Sequence, residues 1–186
     1  MKKCAICRKP IKNLYRSTQK VCAYQDNKEC SEEWAKRERE RKSRKEATRK
    51  RVELREAKEK AKTRADWLAD VQKVFNAYIR ARDGKVCISC GTTKHDIQYC
   101  AGHYRTRGAA GHLRFNEDNT HAQCNQNCNL KLSGNIINYR PRLIDKIGIE
   151  RVESLENDNT THKWTIEELK AIKQKYKLKL KQLTGG

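Results

Sequence analysis

The chain has 186 residues, 36% hydrophobic and 35% charged, which leaves room for one modest domain with appendages and excludes a large apolar core. With a mean hydropathy of -1.04 it contains no run near the roughly 20 apolar residues that cross a bilayer, and Met1-Lys2-Lys3 leads into Cys4 rather than an apolar stretch. The expectation is a cytoplasmic protein with no membrane partner, whose net charge of +20 calls for a polyanion to relieve its self-repulsion.

Nucleic acid fits that charge best; an anionic membrane surface or a ribosome is the alternative. Nine cysteines in a reducing compartment argue for metal rather than disulfides, because thiolates are preferred zinc ligands. Eight of them form two tetrads and Cys100 is left over.

Residues 1–30 carry the first tetrad, Cys4, Cys7, Cys22 and Cys30, and read as an amino-terminal zinc module. The gap before Cys30 is wider than the usual spacing of about two to four residues. Residues 31–65 turn to Glu, Lys, Arg and Ala, with Ser31 as the N-cap, and read as a long basic helix or linker on the order of 50 Å long. Pairs such as Glu38/Lys42 and Glu56/Lys60 would support it. Almost nothing on it is apolar, so it reads as a solvated helix or spacer rather than a coiled coil, with a basic excess able to track phosphates.

The remainder, 66–186, carries the elements that could build a core. Asp66 caps a helix on which Trp67, Leu68, Val71, Val74, Phe75, Tyr78 and Ile79 recur at spacings of three and four residues, and Gly84 ends it. The second tetrad follows: Cys87 and Cys90, then Cys124 and Cys128, with Gly91 just after the first pair. Four thiolates fill a zinc tetrahedron and leave no open position, so this zinc is structural. Between the pairs, residues 97–103 read as a strand, 104–117 as a Gly- and Arg-rich loop, 119–123 as a second strand and 128–132 as the start of a helix. Short helical pieces follow at 139–149 and 151–155, and Thr165 caps a last helix from Ile166 to about Leu183. The class is α+β, mainly helical: a hairpin and a helix stapled by zinc.

Phosphodiester cleavage needs a base with a pKa near neutrality, which histidine supplies unperturbed, and a cation for the charge that grows on phosphate oxygens. His103 is the candidate base; a structural histidine or an extra zinc ligand are the competing readings. His121 alternates with Asn119 along its strand and is the reserve ligand for a metal or phosphate. His95, His112 and His162 read as surface residues. Arg105, Arg107, Arg114 and Lys131 flank the region as DNA contacts, and a plain solvated loop accounts for each singly.

Gly-His at 102–103, Asp-Asn at 118–119 and Cys-Asn-x-Lys at 128–131 resemble the HNH, or ββα-metal, nucleases. The resemblance implies His103 as general base, Asn119 fixing the imidazole or its loop, and Asn129 beside one catalytic divalent ion, Mg²⁺ or Mn²⁺, in addition to two structural zincs. Two departures stand out: Gly102 and Cys100 occupy places where an acid or His would ligate that ion, and Lys131 stands where a His could follow. Asn129, His121, Asp118 and Cys100 are the pool for its ligands. Over nearly the whole chain, the segments at 102–106, 113–124, 131–135 and 162–173 resemble the NinG (Rap) recombination proteins of lambdoid phages. That resemblance implies a phage-encoded endonuclease acting on branched DNA such as Holliday junctions and displacement loops, and the two symmetric strands of a four-way junction point to a homodimer. A non-catalytic zinc-containing DNA-binding mediator is the alternative from another class, and an RNA-directed relative is a third.

Overall fold

A computed structural model describes residues 1–185, and the chain divides into two compact units, Met1–Ala61 and Lys62–Gly186. In the first, a short bridge pairs Lys3 with Pro10, and Cys4, Ile11 and Cys30 form a small buried cluster. Helix α1 spans Lys28–Lys60, three residues earlier than Ser31 suggests. Its cap is Asn27, whose side chain accepts from the Cys30 amide at 3.0 Å, while Ser31 lies inside the helix and donates to the Cys22 carbonyl at 2.9 Å. Cys30 is the one buried residue of α1. The rest of its surface carries ion pairs one turn apart, Glu33 with Arg37 and Glu46 with Lys50. Glu38 turns to Arg41 rather than to Lys42. Such exposed pairs are each worth a few tenths of a kcal/mol, about 0.3–0.5.

The second unit is built on helix α2, Arg64–Asp83. Asp66 is the third residue of this helix and not its cap; Thr63 caps it, in a reciprocal box with the Asp66 carboxylate. Its apolar face packs against α5, Ile166–Thr184, around Phe75, whose ring meets Phe115 and Tyr176 edge-on at 5.8 and 4.7 Å. Thr165 caps α5 through a box with Glu168, as its sequence position suggests. Helices α3, Ile136–Ile147, and α4, Ile149–Asn157, enclose a second core around Tyr104, Leu113, Tyr139 and Leu143. Both start earlier than expected, α3 at Ile136 rather than Tyr139 and α4 at Ile149 rather than Arg151.

Between these cores lies the hairpin: β1, Tyr99–His103, antiparallel to β2, Thr120–Cys124. Ala101 packs on the α2–α5 core, whereas Gly102 and His121 turn to Tyr139 of α3, whose hydroxyl donates to the Gly102 carbonyl at 3.1 Å. Asp83, at the end of α2, fastens the helix to β2 by accepting from the Ala122 amide at 2.9 Å. Its carboxyl is half-buried, which opposes ionisation, yet Arg82, that amide and Lys146 hold its pKa down to about 2. Directly after β2 the chain makes a short π-helix, Asn125–Lys131, in place of an α-helical start at Cys128.

Phe75 is fully buried at the crossing of α2 and α5. Phe75→Ala should destabilise the chain by about 3–5 kcal/mol, read as a lower urea midpoint, because the surrounding rings cannot collapse into the cavity.

Candidate functional site

The sulfurs of Cys4, Cys7, Cys22 and Cys30 lie within 4.8 Å of one another, and so do those of Cys87, Cys90, Cys124 and Cys128. Four sulfurs at about 2.3 Å from a shared zinc stand about 3.8 Å apart. Cys7 and Cys22 are 3.8 Å apart, Cys87 and Cys124 3.7 Å, Cys90 and Cys124 3.9 Å, so both donor sets fit a tetrahedral zinc. The wide gap before Cys30 is closed by α1, whose first turn returns that thiol to the cluster. In the second cluster Gly91, at φ 71°, makes the turn after Cys90, and a side chain there would strike the Arg142 guanidinium at 2.6 Å. Amides support the sulfurs: Cys128 donates to Cys124 Sγ at 3.4 Å and the Asn135 side chain to Cys128 Sγ at 3.3 Å. Burial, with the crowding of Cys4 and Cys7, pushes the Cys22 thiol up to about 12, and burial likewise raises Cys128. Four thiolates therefore coexist only around a cation, and loading either cluster releases protons.

Cys124 ends β2, pairs with Tyr99 of β1 and caps the π-helix that carries Cys128, so the second cluster joins both strands to that helix. This junction brings His103 and Asn129 into one cleft of about 390 Å³, lined also by Asn76 and Arg80 of α2, Cys100, Thr106 and Arg107. His103 Nε2 lies 3.0 Å from the Arg114 carbonyl. A carbonyl only accepts, so in the neutral ring Nε2 carries the proton and Nδ1 keeps the lone pair. Burial, together with the charges of Arg107 and Arg114, holds the imidazole below its ordinary 6.5 and therefore in the basic form near neutrality.

Asn119 is fully buried and braces the loop rather than the ring. Its amide accepts from the Arg105 amide at 2.8 Å and donates to the Arg105 and Leu113 carbonyls at 3.0 and 3.3 Å, which fixes the segment that presents the Arg114 carbonyl to His103. Arg105 faces away from any ligand: its guanidinium donates to the carbonyls of Leu155 and Asp158 and to the Asn159 side chain, so its expected DNA contact is corrected to a strut for α4. Arg107 is exposed at the cleft, and Lys131 is exposed on the π-helix but does not line it.

The pool for a divalent ion does not assemble. His121 is placed away from His103: in the antiparallel register it pairs with Gly102 while His103 pairs with Thr120, so the two rings take opposite faces of the sheet. It is 2% exposed, with Nδ1 3.3 Å from the Tyr139 hydroxyl. Asp118 is held by Arg151, whose Nε donates to it at 2.9 Å. Cys100 does reach the cleft, but burial pushes its thiol up to about 11, a neutral and poor ligand for a hard ion. A side chain at Gly102 would run into Gln123 Oε1 at 2.4 Å, so no ligand fits at that position. Among the described residues the cleft thus offers the Asn129 amide, a histidine, a neutral thiol and no carboxylate. That donor set does not fit a resident hard cation, and positive charge in the cleft comes from Arg80 and Arg107. Sequence reasoning missed Asn76 and Arg80 because they share α2 with its core stripe; their spacing of four residues was the available signal.

Metal analysis should return two zincs per chain, and Cys128→Ser or Cys4→Ser should each leave one. Cys128→Ser should in addition loosen the hairpin, seen as faster amide exchange in β1 and β2, while Cys4→Ser leaves those strands protected.

Burial first, then the nearby Lys146 charge, lowers His121 to about 3. The unfolded ring takes up its proton near 6.5, so stability from this residue is complete above pH 6.5 and is lost toward pH 3 at about 1.4 kcal/mol per pH unit. Urea midpoints of the wild type should therefore fall more steeply between pH 7 and 5 than those of His121→Gln, by about 2 kcal/mol over that interval.

A family model described as the bacteriophage lambda NinG protein matches residues 1–185. The NinG protein of Escherichia phage lambda is 50% identical over 126 residues, 67% of this chain and 61% of that protein. That of Salmonella phage P22 is 50% identical over 123 residues, 66% of this chain and 60% of that protein, and that of Escherichia phage 933W is 48% identical over 126 residues, 67% and 62% respectively. The matched stretch spans about three fifths of the length of these curated relatives. No solved structure is significantly similar to the chain. With the family pattern running over 185 of its residues and relatives at half identity, the chain belongs to the NinG family.

Proposed function

We propose that the chain is a DNA endonuclease of the HNH type, cutting branched recombination intermediates such as Holliday junctions and displacement loops. The observation that carries this reading is His103, fixed through Nε2 on the Arg114 carbonyl, in one cleft with Asn129, Arg80 and Arg107. In this role Nδ1 takes the proton of a water as its oxygen attacks phosphorus, and the phosphodiester bond to the leaving oxygen breaks. The guanidiniums of Arg80 and Arg107 neutralise charge on the non-bridging oxygens, where Arg forms paired hydrogen bonds with phosphate. Asn129 positions the phosphate from the π-helix, and Asn119 and the loop hold the base in place. Dependence on added Mg²⁺ or Mn²⁺ is what the HNH resemblance implies; the cleft's lack of carboxylates argues against a resident ion, so metal dependence is measured rather than built into this scheme. A four-way junction offers two symmetric strands, and a homodimer would suit it.

Wild type and His103→Ala should be incubated with a labelled Holliday junction, a linear duplex of the same sequence and a structured RNA, each with Mg²⁺, Mn²⁺ or EDTA. The expected result is cutting of the junction in preference to the others, lowered by about 10²–10⁴-fold in His103→Ala. The low-pH limb of the rate should be centred below 6.5. Equal cutting by the two proteins, or none by either with binding intact, would leave the non-catalytic DNA-binding mediator as the function, and preference for RNA would reassign the substrate.

A further inference from the structure

The cleft at His103 does not end at Asn76. A second cleft of about 430 Å³ shares Asn76 and Arg107 with it and continues along α2 past Gln72 to Leu68, with Arg114 opposite. Leu68, Gln72, Asn76 and Arg80 are each four residues apart and share one face of α2, so the combined groove runs about 18 Å along the helix.

Two observations say that this groove awaits a ligand. First, its arginines lack counter-charges. Arg82, Arg140 and Arg151 each pair with an Asp or Glu, whereas no ion pair reaches Arg80, Arg107 or Arg114 among the described residues. Arg114 is half-buried beside Arg107, and burial and that neighbour lower its pKa, a conflict that an anion would relieve. Second, Gln72 is 7% exposed, donates to Asn76 Oδ1 at 2.7 Å and leaves its own Oε1 with no hydrogen-bond partner. A buried carbonyl oxygen is costly to leave unpaired, and a turn of the Gln72 amide into the cleft it lines would bring that oxygen to a donor on the ligand.

We propose that the groove is a track for one unpaired strand of DNA, with Arg80, Arg107 and Arg114 on successive phosphates and Gln72 accepting from the amino group of a base. The proposal rests on the nucleic-acid reading of the His103 cleft and extends it to a strand path. Each cleft has the volume of a small-ligand pocket, enough for a splayed nucleotide. At a rise of about 3.4 Å per nucleotide, the groove accommodates on the order of five. Flaps and displaced strands present such a segment beside the bond to be cut.

The test uses binding alone, on the full zinc-loaded chain carrying His103→Ala, so that its outcome is separate from whether the protein cuts. Labelled single-stranded oligonucleotides and the matching duplex are titrated by fluorescence anisotropy over a range of salt. Arg80→Gln with Arg107→Gln should weaken single-strand binding at least tenfold and reduce the slope of log K against log salt by about 1.4, two phosphate contacts at about 0.7 each. Duplex binding should change by less than threefold, and Lys94→Gln with Lys163→Gln, an equal loss of surface charge, should leave single-strand affinity within threefold. Equal weakening of duplex and single strand, or equal weakening by the control pair, overturns the strand track. Gln72→Leu should flatten the preference among homopolymers without changing the salt slope; an unchanged preference overturns the role of Gln72.

Discussion

The cluster of Cys87, Cys90, Cys124 and Cys128 is the constraint on which the rest of the second unit depends. A two-stranded hairpin is marginal by itself, and here it consists of two five-residue strands. Zinc at the cluster would anchor the end of β2 to the turn before β1 and to the π-helix after it, which are the elements that carry His103 and Asn129. The two apolar cores then hold the hairpin from opposite faces, Ala101 against the α2–α5 core and His121 against Tyr139. The cleft is therefore placed by elements that are rigid for reasons unrelated to chemistry, which is what a preorganised site requires.

Charge in this unit is distributed in two ways. Arg82 and Asp83 tie α2 to β2 and Lys146 ties α3 to Asp83, while Tyr78, Tyr176 and Lys179 converge on Glu117 between α2 and α5. These groups are satisfied and structural. Among the described residues Arg80, Arg107 and Arg114 have no such ion-pair partners, and they line one groove. A net charge of +20 does not say which arginines build the fold; only the pairing pattern separates those held by an Asp or Glu from those that are not.

The same distinction explains which site residues were legible in the sequence. The eight cysteines were, because ligand spacing is local and thiolates have few other uses in a reducing compartment. His103 and Asn129 were, through motif residues next to those cysteines. For Asn119 the sequence left two roles open, fixing the imidazole or fixing its loop, and the hydrogen bonds to the Arg105 and Leu113 backbone take the second. His121 and Arg105 were misassigned because proximity in sequence to His103 says nothing about strand register or about which carbonyls a guanidinium will meet.

By itself the sequence determined the helices with strong periodicity, α2 and α5, the charged surface of α1, the two cysteine tetrads and the approximate strands, since each depends on residues within a few positions of one another. Cap positions shifted by three or four residues, from Asp66 to Thr63 and from Ser31 to Asn27, because several Ser, Thr, Asn and Asp side chains competed for the same amides. Only the tertiary structure decided the faces of the hairpin, the fit of Cys30 into its cluster, the lack of carboxylates around His103 and the groove along α2. Each of these joins residues tens of positions apart, and the physical reason is the same throughout: register, burial and unmet hydrogen bonds are properties of packed neighbours, which no local pattern encodes.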